Sequence, residues 1–119
     1  MSEYNGIDPA GLARLNKIGG AAFVRKMIDL FLEEAPERLT AARRGEEAED
    51  LIAVAEAAHS LKSSAQNFGA SGLSRIAGEI ELRARANTCE NLPALLNEIE
   101  GAYKTAKAWL ESERDALKI

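Results

Sequence analysis

The chain of 119 residues has room for one domain of ordinary size, spanning 1–119, and no more. Fifteen Lys and Arg against nineteen Asp and Glu leave a net charge of −4, which argues against a nucleic-acid backbone as the main partner. Hydrophobic residues make up 46% but aromatics only 5%, a mixture that favours close-packed helices over a β-sandwich and argues against disorder.

In chain order, Asp8-Pro9 marks a helix start, with Asp8 as N-cap and Pro9 at the first helical position. Gly19-Gly20 ends this short helix, whose apolar face is Leu12, Leu15 and Ile18. A second helix is expected from Ala21, with Phe23, Met27, Leu30, Phe31 and Glu34 at helical spacing, continuing through Leu39 to Ala42. Pro36 should bend or break it, because its ring clashes with the carbonyl four residues back. Gly45 reads as the stop, and the acidic run Glu46-Glu47-Ala48-Glu49-Asp50 as the first turn of the next helix.

The third helix is the best defined, since Leu51, Val54, Ala58, Leu61, Ala65 and Phe68 form a single packing stripe. Gly69 suits a left-handed C-cap and Ser71 an N-cap for a fourth helix that turns Leu73, Ile76, Ala77, Ile80 and Ala84 inward. A fifth helix runs from Pro93 towards Leu117, with Leu95 or Leu96, Ile99, Tyr103, Ala106 and Leu110 as its inner residues and Trp109 as a packing residue. Short loops make neighbouring helices antiparallel. The expected fold is therefore all-α: an up-down antiparallel four-helix bundle with a short additional N-terminal helix.

Cys89 has no second cysteine to pair with and no neighbours suited to a zinc site or a redox pair. No stretch approaches the roughly 20 apolar residues of a membrane span, and Met1–Ala10 lacks the basic and apolar regions of a secretion signal, so a cytoplasmic location is expected.

His59 is the sole histidine and stands well off the centre of the third helix's apolar stripe. Its ring should therefore point to the edge of the core or to solvent. Lys62, Ser63 and Gln66 follow at helical spacing on the same face, and Ile52, Ala55 and Glu56 complete that face on the N-terminal side. An imidazole, with an intrinsic pKa of roughly 6.5, is substantially neutral and nucleophilic at physiological pH and can attack phosphorus without a strong base. A lysine one turn on places an ammonium where phosphoryl oxygens would sit, and the small Ser63 leaves space for another protein to approach. The chain carries no second histidine for a metal pair, no phosphate-binding glycine loop and no nucleophile triad in a recognisable context. A self-contained enzyme is accordingly not expected, and no metal ligands are assigned.

The run Ala58-His59-Ser60-Leu61-Lys62-Ser63-Ser64-Ala65-Gln66-Asn67-Phe68-Gly69-Ala70 resembles the signature of histidine-containing phosphotransfer (HPt) domains, H-x-L-K-[G/S]-[S/A]-[S/A], then x-x and an aliphatic or aromatic residue, then G-A. The likeness extends to F-x-x-x-M-x-x-x-F and E-E-A-P-E-R-L in the second helix, and to L-x-x-I-A and Ile80-Glu81-Leu82 in the fourth, and it weakens in the last helix. The resemblance implies that His59 is phosphorylated on Nε2 by the aspartyl phosphate of a receiver domain and passes the group to another receiver's aspartate. It implies that Lys62 steadies the phosphoryl oxygens and that Gln66 borders the same spot. Ser63 stands where glycine is commonest. Glu81 and Arg85 fall where polar residues approach the imidazole, so Glu81 could accept from Nδ1 and leave Nε2 free. Gly69 would cap the active helix.

By the same resemblance the protein is a phosphoryl carrier with no kinase activity of its own and no cofactor, Mg²⁺ being brought by the receiver. Receivers would dock on an apolar patch beside the histidine, for which Leu12, Leu15, Phe23, Met27, Ile52 and Ala55 are the candidates, with Glu56 at its border. The implied partners are response-regulator receiver domains and a hybrid sensor histidine kinase, with neither nucleic acid nor membrane involved. A freestanding monomer that begins at Met1 is expected. The same chemistry would serve a piece of a larger hybrid kinase. The competing reading is a helical adaptor that binds a receiver without being phosphorylated.

Overall fold

The computed structural model describes residues 6–117; Met1 and the outer limits of the 1–119 domain lie outside the described residues. Four helices follow one another, α1 (Ala10–Glu47), α2 (Leu51–Asn67), α3 (Ser71–Arg85) and α4 (Leu92–Asp115). α1 packs on α2 and α4, and α3 packs on the same two, so α1 and α3 are diagonal to each other. The bundle fold expected from the sequence is borne out.

α1 is two helices joined at Gly20, the one residue within it with non-helical torsions (φ 81°, ψ −176°). Such a backbone is open in practice only to glycine. Gly19 has no side chain for a different reason: the Phe23 ring folds back over its Cα and occupies the space of a Cβ. Thirty-eight residues of straight helix would measure roughly 57 Å, whereas the longest dimension of the molecule is 45 Å. The break thus turns 10–19 away from the axis of 21–47, and the short additional N-terminal helix is the first of these two arms. Its start lies one residue later than read: Pro9 (φ −63°, ψ −14°) is the N-cap ahead of Ala10, and the Asp8 carboxylate before it accepts from the Ala10 N–H at 3.0 Å.

Pro36 neither breaks nor ends α1, which stays helical through it to Glu47. Pro36 itself faces solvent, while Phe31, Ala35 and Ala42 are buried on either side of it. Burial of these residues outweighs the one lost backbone bond. Gly45 is likewise not the stop. It lies buried inside the last turns of α1, where a Cβ would come within 2.9 Å of Val54 Cγ2 and 3.1 Å of the Asp50 carbonyl. Glu46 and Glu47 consequently belong to α1, and α2 is capped by Asp50, whose carboxylate accepts from the Ala53 N–H at 3.1 Å.

The α2 stripe is buried from Val54 to Phe68, with Leu51 partly covered at its start. Gly69 takes the left-handed conformation (φ 74°) that ends α2, and Ser71 is the first residue of α3 rather than its N-cap, a place held by Ala70. Every inward residue expected on α3 and α4 is buried, Leu95 and Leu96 both included. Ile18 and Leu30 are corrections: they are 69% and 43% exposed, because the apolar face of each α1 arm closes on its other members. At the centre, the Phe31 ring of α1 meets Phe68 at 5.0 Å and Tyr103 at 6.0 Å between centroids.

The chain ahead of α1 clamps the α2–α3 turn. Asp8 N–H donates to the Gly69 carbonyl at 2.6 Å, Gly72 N–H to the Gly6 carbonyl at 2.8 Å, and Ile7 is buried. Gly11 sits on the Phe68–Gly69 backbone with no space for a Cβ. The turn that follows the His59 helix is therefore pinned from a second element.

Candidate functional site

His59 projects from the middle of α2 beside the seam with α3, its side chain 56% exposed. The cause is its position in the helix: Ala58 and Leu61 turn into the core, so the residue next to them reaches only the core's edge. On the neighbouring α3, Glu81 is the one buried charged residue among those described. Its Oε2 lies 3.0 Å from His59 Nδ1. An ionised carboxylate can only accept, so Nδ1 carries the proton and Nε2 keeps a free lone pair. Nε2 meets no hydrogen-bond partner among the described residues.

Two cations complete the cluster. Arg85, one turn along α3, donates through Nε to Glu81 Oε2 at 2.8 Å and places Nη2 at the same distance from that oxygen. Lys62, one turn along α2 from His59, sets its ammonium 2.9 Å from Glu81 Oε1. This last contact is an ion pair out of line for a hydrogen bond, which leaves Oε1 without an aligned donor. Burial alone would raise the Glu81 pKa, but Lys62 and Arg85, with the nearby imidazole, outweigh it and hold the carboxyl at about 2 rather than 4.5. Glu81 is thus an anion at any physiological pH.

Supporting contacts fix the two helices against each other. Ser74 Oγ donates to the Lys62 carbonyl at 3.4 Å, and the lysine stem runs past Gly78, where a Cβ would make ordinary contact with Lys62 Cδ at 3.5 Å. On the other side of α2, Arg38 Nε of α1 donates to Ser60 Oγ at 3.0 Å. Sequence reasoning missed Gly78, Ser74 and Arg38. The first two were within reach, because 74, 78, 81 and 85 advance by the helical 4, 3 and 4 along one face of α3.

Ser63 is exposed beside His59, as the reading of that face required. Gln66 is exposed farther along α2, where it lines a polar hollow of about 350 Å³ with Asp8, Arg14 and Arg75. The docking candidates divide. Leu12 and Leu15 are 8% exposed and serve the core under the α2–α3 turn, so they offer a partner no surface. Ala55, 2% exposed, contributes only the floor of a hollow of about 440 Å³ bounded by Ile52, Ala84 and Arg85. Phe23 and Met27 are half-buried against the core. Ile52 is 76% exposed, and Glu56 is exposed next to it on the His59 side of α2. Among the described residues no group of three or more His, Cys, Asp or Glu is arranged to hold a metal ion.

An all-helical bundle that exposes one imidazole, orients it through a buried carboxylate and sets an ammonium beside it has the form of a phosphoryl-carrying domain. The Hpt domain family model matches residues 26–109, most of the bundle, and the chain belongs to that family. Two relatives named phosphorelay protein LuxU, from Vibrio vulnificus strains YJ016 and CMCP6, are each 29% identical over 100 residues, covering 83% of this chain and 87% of theirs. The crystal structure of histidine-containing phosphotransfer protein B (HptB) from Pseudomonas aeruginosa PAO1 superposes with a TM-score of 0.91 at 26% identity, covering 98% of this chain and all of that one.

Proposed function

We propose that this protein is the histidine phosphotransfer component of a multistep phosphorelay, with His59 as the carrier. The observation that carries the reading is the pairing of His59 Nδ1 with Glu81 at 3.0 Å on an imidazole that is otherwise open to solvent. In the forward step the Nε2 lone pair attacks the phosphorus of a receiver's aspartyl phosphate. The N–P bond forms, the P–O bond to the aspartate breaks, and its electron pair returns to that carboxylate. No proton moves, because Nε2 bears none. The positive charge that develops on the ring is met by Glu81 through Nδ1–H, and Lys62 is within one turn to meet the phosphoryl oxygens. Transfer onward is the reverse reaction with a second receiver.

The partners in this reading are receiver domains and a hybrid sensor kinase, and Mg²⁺ belongs to the receiver's site. Ile52 and Glu56, with the half-buried Phe23 and Met27, remain the residues proposed to touch the receiver. A monomer acting in the cytoplasm fits a carrier that offers one seam to successive partners; no helix among the described residues is long and apolar enough to cross a membrane. The test is incubation with a phosphorylated receiver domain. Wild type should acquire acid-labile phosphate, and His59→Gln, which keeps the size and polarity of the side chain, should acquire none. No acid-labile phosphate on the wild type, or undiminished labelling of His59→Gln, would reject His59 as the carrier, and receiver binding and signalling that persist in His59→Ala would favour a non-phosphorylated adaptor.

A further inference from the structure

Lys62 has two claims on its single charge. In the structure its ammonium is held by Glu81 Oε1 at 2.9 Å, while the proposed chemistry requires it at the phosphoryl group on Nε2. If it moved away with nothing in its place, Glu81, whose side chain is only 10% exposed, would be left as a buried anion, which is costly. We propose that Arg85 is a positioning residue that frees Lys62 for the phosphoryl group by acting as the permanent counter-ion of Glu81.

The geometry divides the carboxylate between the two cations. Arg85 engages Oε2 alone, through Nε and Nη2 both at 2.8 Å, and Lys62 engages Oε1 alone. Guanidinium stays charged, and two of its nitrogens converge on the one carboxylate oxygen that also faces His59. Because Oε2 is also the acceptor of His59 Nδ1–H, Arg85 fixes the group that orients the imidazole. The lysine contact has the opposite character. It is out of line for a hydrogen bond, and it is a single point charge at the end of a flexible stem that runs beside Gly78. On phosphorylation the lysine therefore turns from Oε1 to the new phosphoryl oxygens, and Arg85 remains. Without Arg85, Lys62 is retained by Glu81 and the phosphoryl group loses its cation.

This inference rests on His59 being the carrier, and the experiment separates the two. Full-length protein is labelled with phosphoramidate and, in parallel, with a phosphorylated receiver domain. The rate of labelling and the lifetime of the phosphohistidine are followed by ³¹P NMR, and the tautomer of the His59 ring by ¹⁵N shifts. Lys62→Ala should lower the rate by about tenfold. Arg85→Gln should approach the same loss, Arg85→Lys should recover part of it, and the Lys62→Ala/Arg85→Gln double variant should lose no more than Lys62→Ala. Glu81→Gln should suppress the Arg85→Gln defect, since a neutral partner no longer retains the lysine, and the amide oxygen of the new side chain can still accept from Nδ1. A role of Arg85 in packing would not be rescued in this way. Labelled wild type with an unaffected Arg85→Gln, or losses that multiply in the double variant, would overturn the inference alone. Wild type without label at His59 from either donor would overturn the carrier reading and this inference with it.

Discussion

Glu81 brings together an imidazole, an ammonium and a guanidinium on a carboxylate that is nearly out of solvent, and its titration should be visible in the stability of the whole domain. In the folded protein its pKa is held at about 2, against 4.5 for the ordinary group, so the folded state binds its proton less readily than the unfolded one. A depressed carboxylate stabilises the fold fully above pH 4.5, and that contribution disappears as the pH falls from 4.5 towards 2. Two of its three partners are more than half exposed and screened by water, which limits the effect to about 1–2 kcal/mol. Urea unfolding of wild type and Glu81→Gln at intervals between pH 7 and 2 checks this. The wild-type advantage should be constant at the upper end and shrink below pH 4.5; an advantage that persists unchanged at pH 2 would remove the ion cluster as its source. The identity of this carboxylate was legible in the sequence through the family resemblance, which places polar residues near the imidazole at positions 81 and 85. Its burial was not, since a Glu in an amphipathic pattern is ordinarily read as surface and only the α2–α3 packing covers it.

At the scale of the helices, what could be read was whatever one element decides by itself. The α2 stripe, the inward faces of α3 and α4, and the Gly19-Gly20 break follow from periodicity and backbone chemistry. The misreadings at Pro36 and Gly45 share a cause: both were judged as local punctuation, and both are settled by packing between helices. Gly45 is a glycine because Val54 and Asp50 of the next segment lie against it. Leu12 and Leu15 were misplaced for the related reason that an apolar residue on a short helix can face a partner or a core, and only the clamp on the α2–α3 turn decides between them. Gly69 combines both kinds of constraint, a positive φ of 74° and an Asp8 carbonyl where its Cβ would be. Gly69→Ala should therefore destabilise the protein by about 1–3 kcal/mol. Gly101, within α4, has ordinary torsions and nothing within 4 Å, so the same substitution there should stabilise by about 0.5–1 kcal/mol. Opposite signs in the two urea midpoints are the expected result. Equal shifts would mean that the clamp yields without cost.

Across the whole molecule the order α1, α2, α3, α4 around the bundle puts the histidine seam between α2 and α3, opposite the seam between α1 and α4. That rear seam is bridged at the surface by Arg43 with Glu100 and by Arg114 with Asp29, both at 2.8 Å, and partly exposed pairs of this kind contribute at most about 1 kcal/mol each. Its strength lies deeper, where Phe31 joins α1 to Tyr103 of α4 and to Phe68 at the end of α2. The division of labour follows from this layout: stability is concentrated in the apolar centre, while the exposed imidazole lies on the α2–α3 face, paired with Glu81, which Arg85 also holds. Phe31→Ala removes a 4%-exposed ring from the meeting point of three helices and should cost about 3–5 kcal/mol. Its phosphotransfer rate, measured at a temperature where circular dichroism shows the variant still folded, should stay within about twofold of wild type, because no partner of the His59–Glu81 pair touches the lost ring and a factor of two corresponds to less than about 0.5 kcal/mol. Arg85→Gln should show the reverse pattern, with unfolding little changed and transfer slowed. If Phe31→Ala slowed transfer tenfold while still folded, the core would be positioning the imidazole, and the separation of scaffold from site argued from this geometry would fail.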